Sequence, residues 1–500
     1  MSERHSAPVR GLMSTKTSPF YEGRFGRMFR SLHPATFGPT ETKNIENLAK
    51  LGEAMSADFD PPKDGHDEEE SGIPALYTYL GQFIDHDITF DPASSLQKQN
   101  DPDALTDFRT PAFDLDNVYG RGPDDQPYMY DGNSSFLLGD PIQGGDPHAK
   151  DLPRNNATPR RALIGDPRND ENTIVSQLQG LFLRFHNRAR ADYPGLGFAE
   201  VQKIVRFHYQ YVVLNDFLPR IVHSSVLNDL KSGQHYDRDK LKYFHWKHEP
   251  YMPVEFSVAA YRLGHSMIRP GYRLNDSVLL PIFPVTEKKL NDGLTGFRAM
   301  NPAWGIDWGR MIDIDIRKYD GTDVDNKKRL QFAYRLDTSL VNPLKHLPAA
   351  VASNPSSLAQ RNLERGWRLG LPSGQSVARA MRIRPLADND IRIGKAVDGA
   401  SDDTKSIVEV DPVFANNAPL WTYILAEAIQ FKETVTIPVQ EKVSITTPRL
   451  GLVGGRIVAE VFLGLMFGDR HSLLTLDPHW QPRQGANFAL KDFVNYALGR

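Results

Sequence analysis

The strongest constraint in the sequence is a helical repeat of large apolar side chains that returns in well-separated stretches. Leu76, Tyr79, Leu80, Phe83 and Ile84 recur at i, i+3, i+4, i+7 and i+8, with Pro74 suited to the first turn. Ile174, Leu178, Leu181, Phe182 and Phe185 predict a second helix over about 169–191. A third is predicted over about 254–268, stopped by Pro270, and a fourth over about 357–368, ending at Gly370 before Pro372. The apolar stretch 451–468 is interrupted by Arg456 and Glu460, so it reads as a buried helix and not as a membrane span. Strand signals are short and scattered, as at Ile407–Val410 and 434–437. A mainly α fold in one large domain with few short strands is expected. Residues 1–70 are expected to form an N-terminal arm and acidic loop packed on a domain of residues 71–500, the acidic run 64–70 reading as a solvated loop.

Composition removes several kinds of chemistry. The 500 residues contain no Cys, which excludes disulfides, iron–sulfur clusters, zinc–thiolate sites, catalytic thiols and a thiolate-ligated haem. With 59 Lys+Arg against 62 Asp+Glu, the net charge of −3 gives no electrostatic reason to expect nucleic acid or an acidic membrane as partner. The 38 Gly and 36 Pro predict long, ordered, irregular connections. The N-terminus is basic but lacks the apolar core of a signal peptide, and no transmembrane segment is visible. A cytoplasmic location is the default expectation, with signal-independent secretion left open; oligomeric state is not legible.

Five polar clusters interrupt the apolar pattern. Gln82, Asp85 and His86 share one helical face, while Asp87 points about 100° further round, toward the apolar side. An ionised Asp87 there is costly unless paired or bound to a cation. In the loop that follows, Thr110, Ala112 (by its carbonyl), Asp114 and Asp116 place oxygens at every second residue, a pattern that can curl around Ca²⁺. Arg168 and Glu171 lie three apart at a helix start. His265 sits on an apolar face with Val258, Tyr261 and Ile268, beside Gly264, and Asn362 and Arg365 share the face of the fourth helix. Each cluster also has a plain structural explanation: a core histidine, a solvated acidic loop, a local ion pair or an exposed polar face. Gly264 argues against the plain account of His265, because it weakens a helix and leaves room for something flat and bulky.

Taken together and in this order, the five segments resemble the peroxidase–cyclooxygenase superfamily in its bacterial branch. These are the animal-type, myeloperoxidase-like haem peroxidases, and the resemblance covers about residues 70–470. It implies a single haem-peroxidase domain, haem b and Ca²⁺. His86 becomes the distal acid–base residue with Gln82 as its amide companion and Arg168 as distal cation. Asp85 and Glu171 become candidates for ester bonds to haem, and His265 the axial iron ligand held by Asn362. Arg262 belongs to the proximal motif and Arg365 binds a propionate. Asp87, Thr110, Ala112, Asp114 and Asp116 become the calcium ligands.

Two departures stand out. Asn172 occupies the position of the Met that forms a sulfonium link in myeloperoxidase, and Arg262 that of the radical-forming Tyr of cyclooxygenases and fatty-acid dioxygenases. The implied activity is oxidation of halides, pseudohalides or small aromatic donors by hydrogen peroxide, a chemistry that fits oxidant production or the response to oxidative stress. A fatty-acid dioxygenase of the same fold and a haem-free, calcium-binding adhesion or scaffold protein are the alternatives. His186 and His208 are assigned to core or polar packing.

Overall fold

The apolar stripes close against one another in the computed structural model, which describes residues 25–58, 62, 64–89, 111–284, 293–319, 326–349, 351–352, 354–395 and 404–500. The principal helices are α1 (Glu41–Ala54), α2 (Leu76–Ile88), α3 (Thr173–Asp192), α4 (Phe198–Val212), α5 (Leu358–Arg368), α6 (Leu420–Ala428), α7 (Gly454–Gly468) and α8 (Leu490–Leu498). The predicted stripes of α2 and α3 are buried throughout. Phe83 of α2 stacks on Phe182 of α3 at 4.2 Å, and Phe185 stacks on Phe493 of α8 at the same separation. Burial of each such ring contributes about 1.5–3 kcal/mol. In α7, Phe462 meets Phe113, Phe217, Phe256 and Tyr261, so one helix backs both the acidic loop and the segment that carries His265.

The two charges inside α7 satisfy each other. Arg456 pairs with Glu460 at 2.6 Å, and Glu460 accepts from the backbone N–H groups of Lys242, Tyr243 and Phe244. Among the described residues no helix is long and apolar enough to cross a membrane. Strands are short, as expected. β1 (Glu70–Pro74) pairs antiparallel with β2 (Phe332–Tyr334), while β3 (Lys432–Ile437) and β4 (Val443–Pro448) form a hairpin with Thr434 opposite Thr446.

Four local expectations are corrected. The second helix begins at Thr173, because Asn172 caps it and a 3-10 turn, Pro167–Asp170, precedes it. The segment expected as one helix over 254–268 is instead a π turn, Glu255–Ala259, followed by a 3-10 turn, Ala260–His265. An over-wide turn followed by an over-tight one changes which side chains share a face, and such irregularities concentrate at functional sites. Ile407–Val410 is a short helix and not a strand: Ser406 and Glu409 form a capping box that outweighs the β-branched composition.

The acidic run is not a solvated loop. Glu70 is fully buried, bonded to Arg269 at 2.6 Å and to Arg329 at 2.7 Å, and Asp67 is buried against the Tyr334 hydroxyl. Burial alone would raise the Glu70 carboxyl, but the charges of Arg329 and Arg269 hold it well below the usual carboxylate range. The stability this adds is present above that range and lost as pH falls through it. Glu70→Gln leaves two buried guanidiniums uncompensated and is expected to cost about 3–5 kcal/mol, read as a lower urea midpoint. The variant's stability should also fall less steeply in acid than that of the wild type.

Candidate functional site

The polar face of α2 meets a turn formed by residues 165–172. Gly165 begins that turn against the carbonyls of Asp116 and Asn117, where a Cβ would overlap the main chain. The Asp166 carboxylate accepts from Arg168 N at 2.8 Å, starting the 3-10 turn at Pro167. Arg168 then reaches back: its guanidinium pairs with Asp166 at 2.8 Å and donates through Nη2 to the carbonyls of His86 (3.0 Å) and Thr89 (2.5 Å). It pairs with Asp166, and the local Arg168–Glu171 pair does not form.

Glu171 instead lies beside the His86 imidazole. Its Oε1 accepts from Gln82 Nε2 and is 3.5 Å from His86 Nε2. Asn172 does two things at once. Its Oδ1 accepts from Ile174 N and Val175 N, capping α3, and its Nδ2 donates to Gln82 Oε1 at 3.0 Å. Below, Asn169 Oδ1 is 2.7 Å from His86 Nδ1. Asn169 carried no role in the sequence reading; only its place in the turn just before an Asx cap could have pointed to it. Asp85 keeps accessible surface and accepts from the Thr89 hydroxyl at 3.2 Å.

The acidic loop lies under α2. Thr110 falls outside the described residues. Ala112 and Asp114 are buried, and Leu115 adopts a left-handed conformation (φ 62°) that is strained for a leucine. This brings Asp116 N to 3.1 Å from Asp114 Oδ1. Burial, and then the charges of Asp116 and Asp87, push the Asp114 carboxyl well above its ordinary range. One Asp114 oxygen is buried without a hydrogen bond. Among the described residues no three His, Asp or Glu side chains are drawn into a ready-made metal site.

The 3-10 turn Ala260–His265 faces the same part of α2, with the Tyr261 hydroxyl donating to Gly81 O at 3.2 Å. A Cβ on Gly264 would meet nothing within 4 Å. Protein surrounds the His265 imidazole, yet the residue keeps accessible surface. Burial, then the Arg262 charge, lowers its pKa to about 3 against the opposing pull of Asp85, so the ring is neutral at working pH. Arg262 Nε donates to Ser257 O at 2.9 Å. The Asn362 amide lies 2.7 Å from His265 Nδ1 with its nitrogen foremost; a half-turn of that amide brings Oδ1 there instead. Arg365 is half-buried, three residues further along α5. His186 bonds the Tyr119 hydroxyl and Ser134 O, and His208 bonds Ile204 O, which accords with their expected packing roles.

The sequence of the animal haem peroxidase family matches residues 96–288, which include both the 168–171 and the 262–265 segments. Thyroid peroxidase of Homo sapiens is 29% identical over 222 residues, 42% of this chain and 21% of that protein. Peroxidase A of Dictyostelium discoideum superposes with a TM-score of 0.53, covering 92% of this chain and 89% of that one at 15% identity. The family match covers about two fifths of the chain, and the structural likeness shows a shared fold. The fatty acid alpha-dioxygenase of Arabidopsis thaliana has the same fold, with a TM-score of 0.53 over 95% of this chain and 77% of its own at 13% identity. The chain therefore shares its architecture with a peroxidase and with a dioxygenase, and spans about a fifth of the length of human thyroid peroxidase.

Asn172→Ala is expected to lower stability by about 1 kcal/mol through loss of the cap, measured by urea unfolding. Asn172→Asp, which keeps the accepting oxygen, should retain most of it.

Proposed function

We propose that the chain is a haem-dependent peroxidase that uses hydrogen peroxide to oxidise halides, pseudohalides or small aromatic donors. What supports this reading is His265, a neutral imidazole next to Gly264, around whose missing Cβ the space is open, on a segment bonded to the helix that bears His86. These residues fit a flat macrocycle. Haem bound there supplies the two-electron reduction of peroxide and the oxidation of small donors. His265 would hold the iron through Nε2 once Asn362 presents its oxygen to Nδ1–H, a bond that raises the ligand's basicity. Asp85 and Glu171 are assigned as candidates for ester links, Arg365 as the cation for a propionate, and Arg262 to the segment that carries His265. Asp87, Thr110, Ala112, Asp114 and Asp116 are assigned to Ca²⁺, whose charge would relieve the repulsion felt by Asp114.

On α2, His86 is the base. With Nδ1 turned to Asn169, its Nε2 can take a proton from peroxide and deliver it to the oxygen that departs as water, the electrons for breaking the O–O bond being those that haem would supply. Gln82, oriented by Asn172 and Glu171, offers its amide beside that path. Arg168 anchors the backbone of His86, and to it is assigned the fixed positive charge that would face the oxygen turning negative.

The visible spectrum of the haem-loaded protein, before and after peroxide and with bromide, iodide or thiocyanate added, tests the reading. His86→Ala should keep its haem and lose about 10²–10⁴ of peroxide-dependent turnover. His265→Ala should change the spectrum by losing or misplacing the iron. Gly264→Leu should leave the thermal stability of the haem-free chain unchanged and weaken haem retention. Haem fully extractable in acidified organic solvent would sink the ester assignment. Oxygen uptake with linoleate in the absence of peroxide would favour the dioxygenase instead.

A further inference from the structure

The distal histidine is reached by a line of three buried amide-bearing residues that the reaction itself does not use. Asn117, Asn169 and Gln179 are each fully buried. Gln179 Nε2 lies 3.4 Å from the main-chain carbonyl of Asn117, Asn169 Nδ2 lies 2.8 Å from Gln179 Oε1, and Asn169 Oδ1 lies 2.7 Å from His86 Nδ1. Taken singly, either amide could be turned end for end, since its oxygen and nitrogen occupy nearly equal volumes. Taken as a line, they cannot.

The far end of the line fixes its direction. A main-chain carbonyl can only accept, so the group of Gln179 that faces Asn117 must be its N–H₂. Gln179 then presents its oxygen to Asn169, which must answer with its own N–H₂. The oxygen of Asn169 is left facing the imidazole, and His86 Nδ1 must carry the hydrogen. Reversing any one member sets two acceptors or two donors against each other in a fully buried place, where an unpaired polar group is costly.

We propose that Gln179 and Asn169 are positioning residues that fix the tautomer of His86, transmitting the polarity of the Asn117 carbonyl to the imidazole and leaving Nε2 as its basic nitrogen. Asn117 also donates from Nδ2 to Phe83 O of α2 at 3.1 Å, so the origin of the line is tied to the helix on which His86 rides. Asn117 follows Asp116 directly, which makes the acidic loop the fixed point from which the tautomer is set. The inference rests on the peroxidase reading only in that the reading gives Nε2 its task; the tautomer itself is a property of the chain.

The test reads that tautomer directly. Full-length protein labelled with ¹⁵N-histidine is loaded with haem and held in the diamagnetic ferrous carbon-monoxide state, and the His86 signals are assigned by their absence in His86→Ala. The expected result is a protonated Nδ1 and an unprotonated Nε2. In Asn169→Leu and Gln179→Leu the preference should be lost or inverted, and the rate of reaction with peroxide should fall at least about tenfold, part of what a positioned acid–base group supplies. The later oxidation of donor should keep its rate. Gln179→Glu should restore both tautomer and rate, because a buried carboxyl stays protonated and can donate to Asn117 while accepting from Asn169. A wild-type protein with hydrogen on Nε2, or leucine variants with an unaltered tautomer, would overturn the relay. If the chain takes up no haem, the same spectra are read on the haem-free chain. A protein that fails as a peroxidase while its His86 keeps hydrogen on Nδ1 would sink the functional reading and leave the relay standing.

Discussion

Arg168 closes the C-terminal end of α2, where helical carbonyls have no partner of their own, by donating to the carbonyls of His86 and Thr89 while held by the Asp166 carboxylate. A guanidinium suits this task because its donors are rigidly spaced and can bond two carbonyls and a carboxylate together. Because Asn169, Glu171 and Asn172 follow within four residues on the same turn, this one anchored cation places all three against Gln82 and His86. The opposite wall refers to the same helix through Tyr261 and Gly81. Thus α2 is the ruler against which both the 165–172 turn and the segment carrying His265 are set.

The molecule buries negative charge in two different ways. Around Glu70 two guanidiniums offset the cost of burial, and the carboxyl stays ionised. Around Asp114 the named neighbours are themselves acidic, and the carboxyl is pushed up. Like charges gathered without a guanidinium are stable only when protons or a cation join them. At the loop, the left-handed Leu115 draws the Asp116 N–H onto the Asp114 carboxylate.

The helices were legible because their signal is local: the stripes of α2 and α3 depend on spacing alone, and burial follows from it. The segment before His265 was not legible as a π turn running into a 3-10 turn. Its apolar spacing fits one regular helix, and the irregularity depends on what packs around it, such as the N-terminal strand Phe25–Gly26 that pairs with Met252–Pro253 just upstream. The acidic run was misread for a similar reason. Arg269 and Arg329 lie some 200 and 260 residues away from Glu70, and no local pattern announces a partner at that separation. The roles of Asn169 and Gln179 were hidden for a third reason, because an amide in a turn or a helix has no periodicity to betray it and gains meaning only from the atom it faces.

The two departures from the family pattern now have physical content. Asn172 spends both ends of its amide, one on the start of α3 and the other on Gln82, so its position orders the polar face of α2. Arg262, three residues before His265, has a guanidinium bonded to Ser257 O, and its charge helps keep the imidazole neutral. A guanidinium at this place cannot serve as a hydrogen-abstracting radical. The neighbouring phenol does not replace it: Tyr261 donates its hydroxyl to Gly81 O, and burial, followed by the nearby Asp85 charge, pushes its pKa well above the ordinary value. A tyrosine committed to holding two walls together is poorly placed to give up its hydrogen to a lipid reaction, and this weighs toward peroxide as the oxidant and small donors as the reductants.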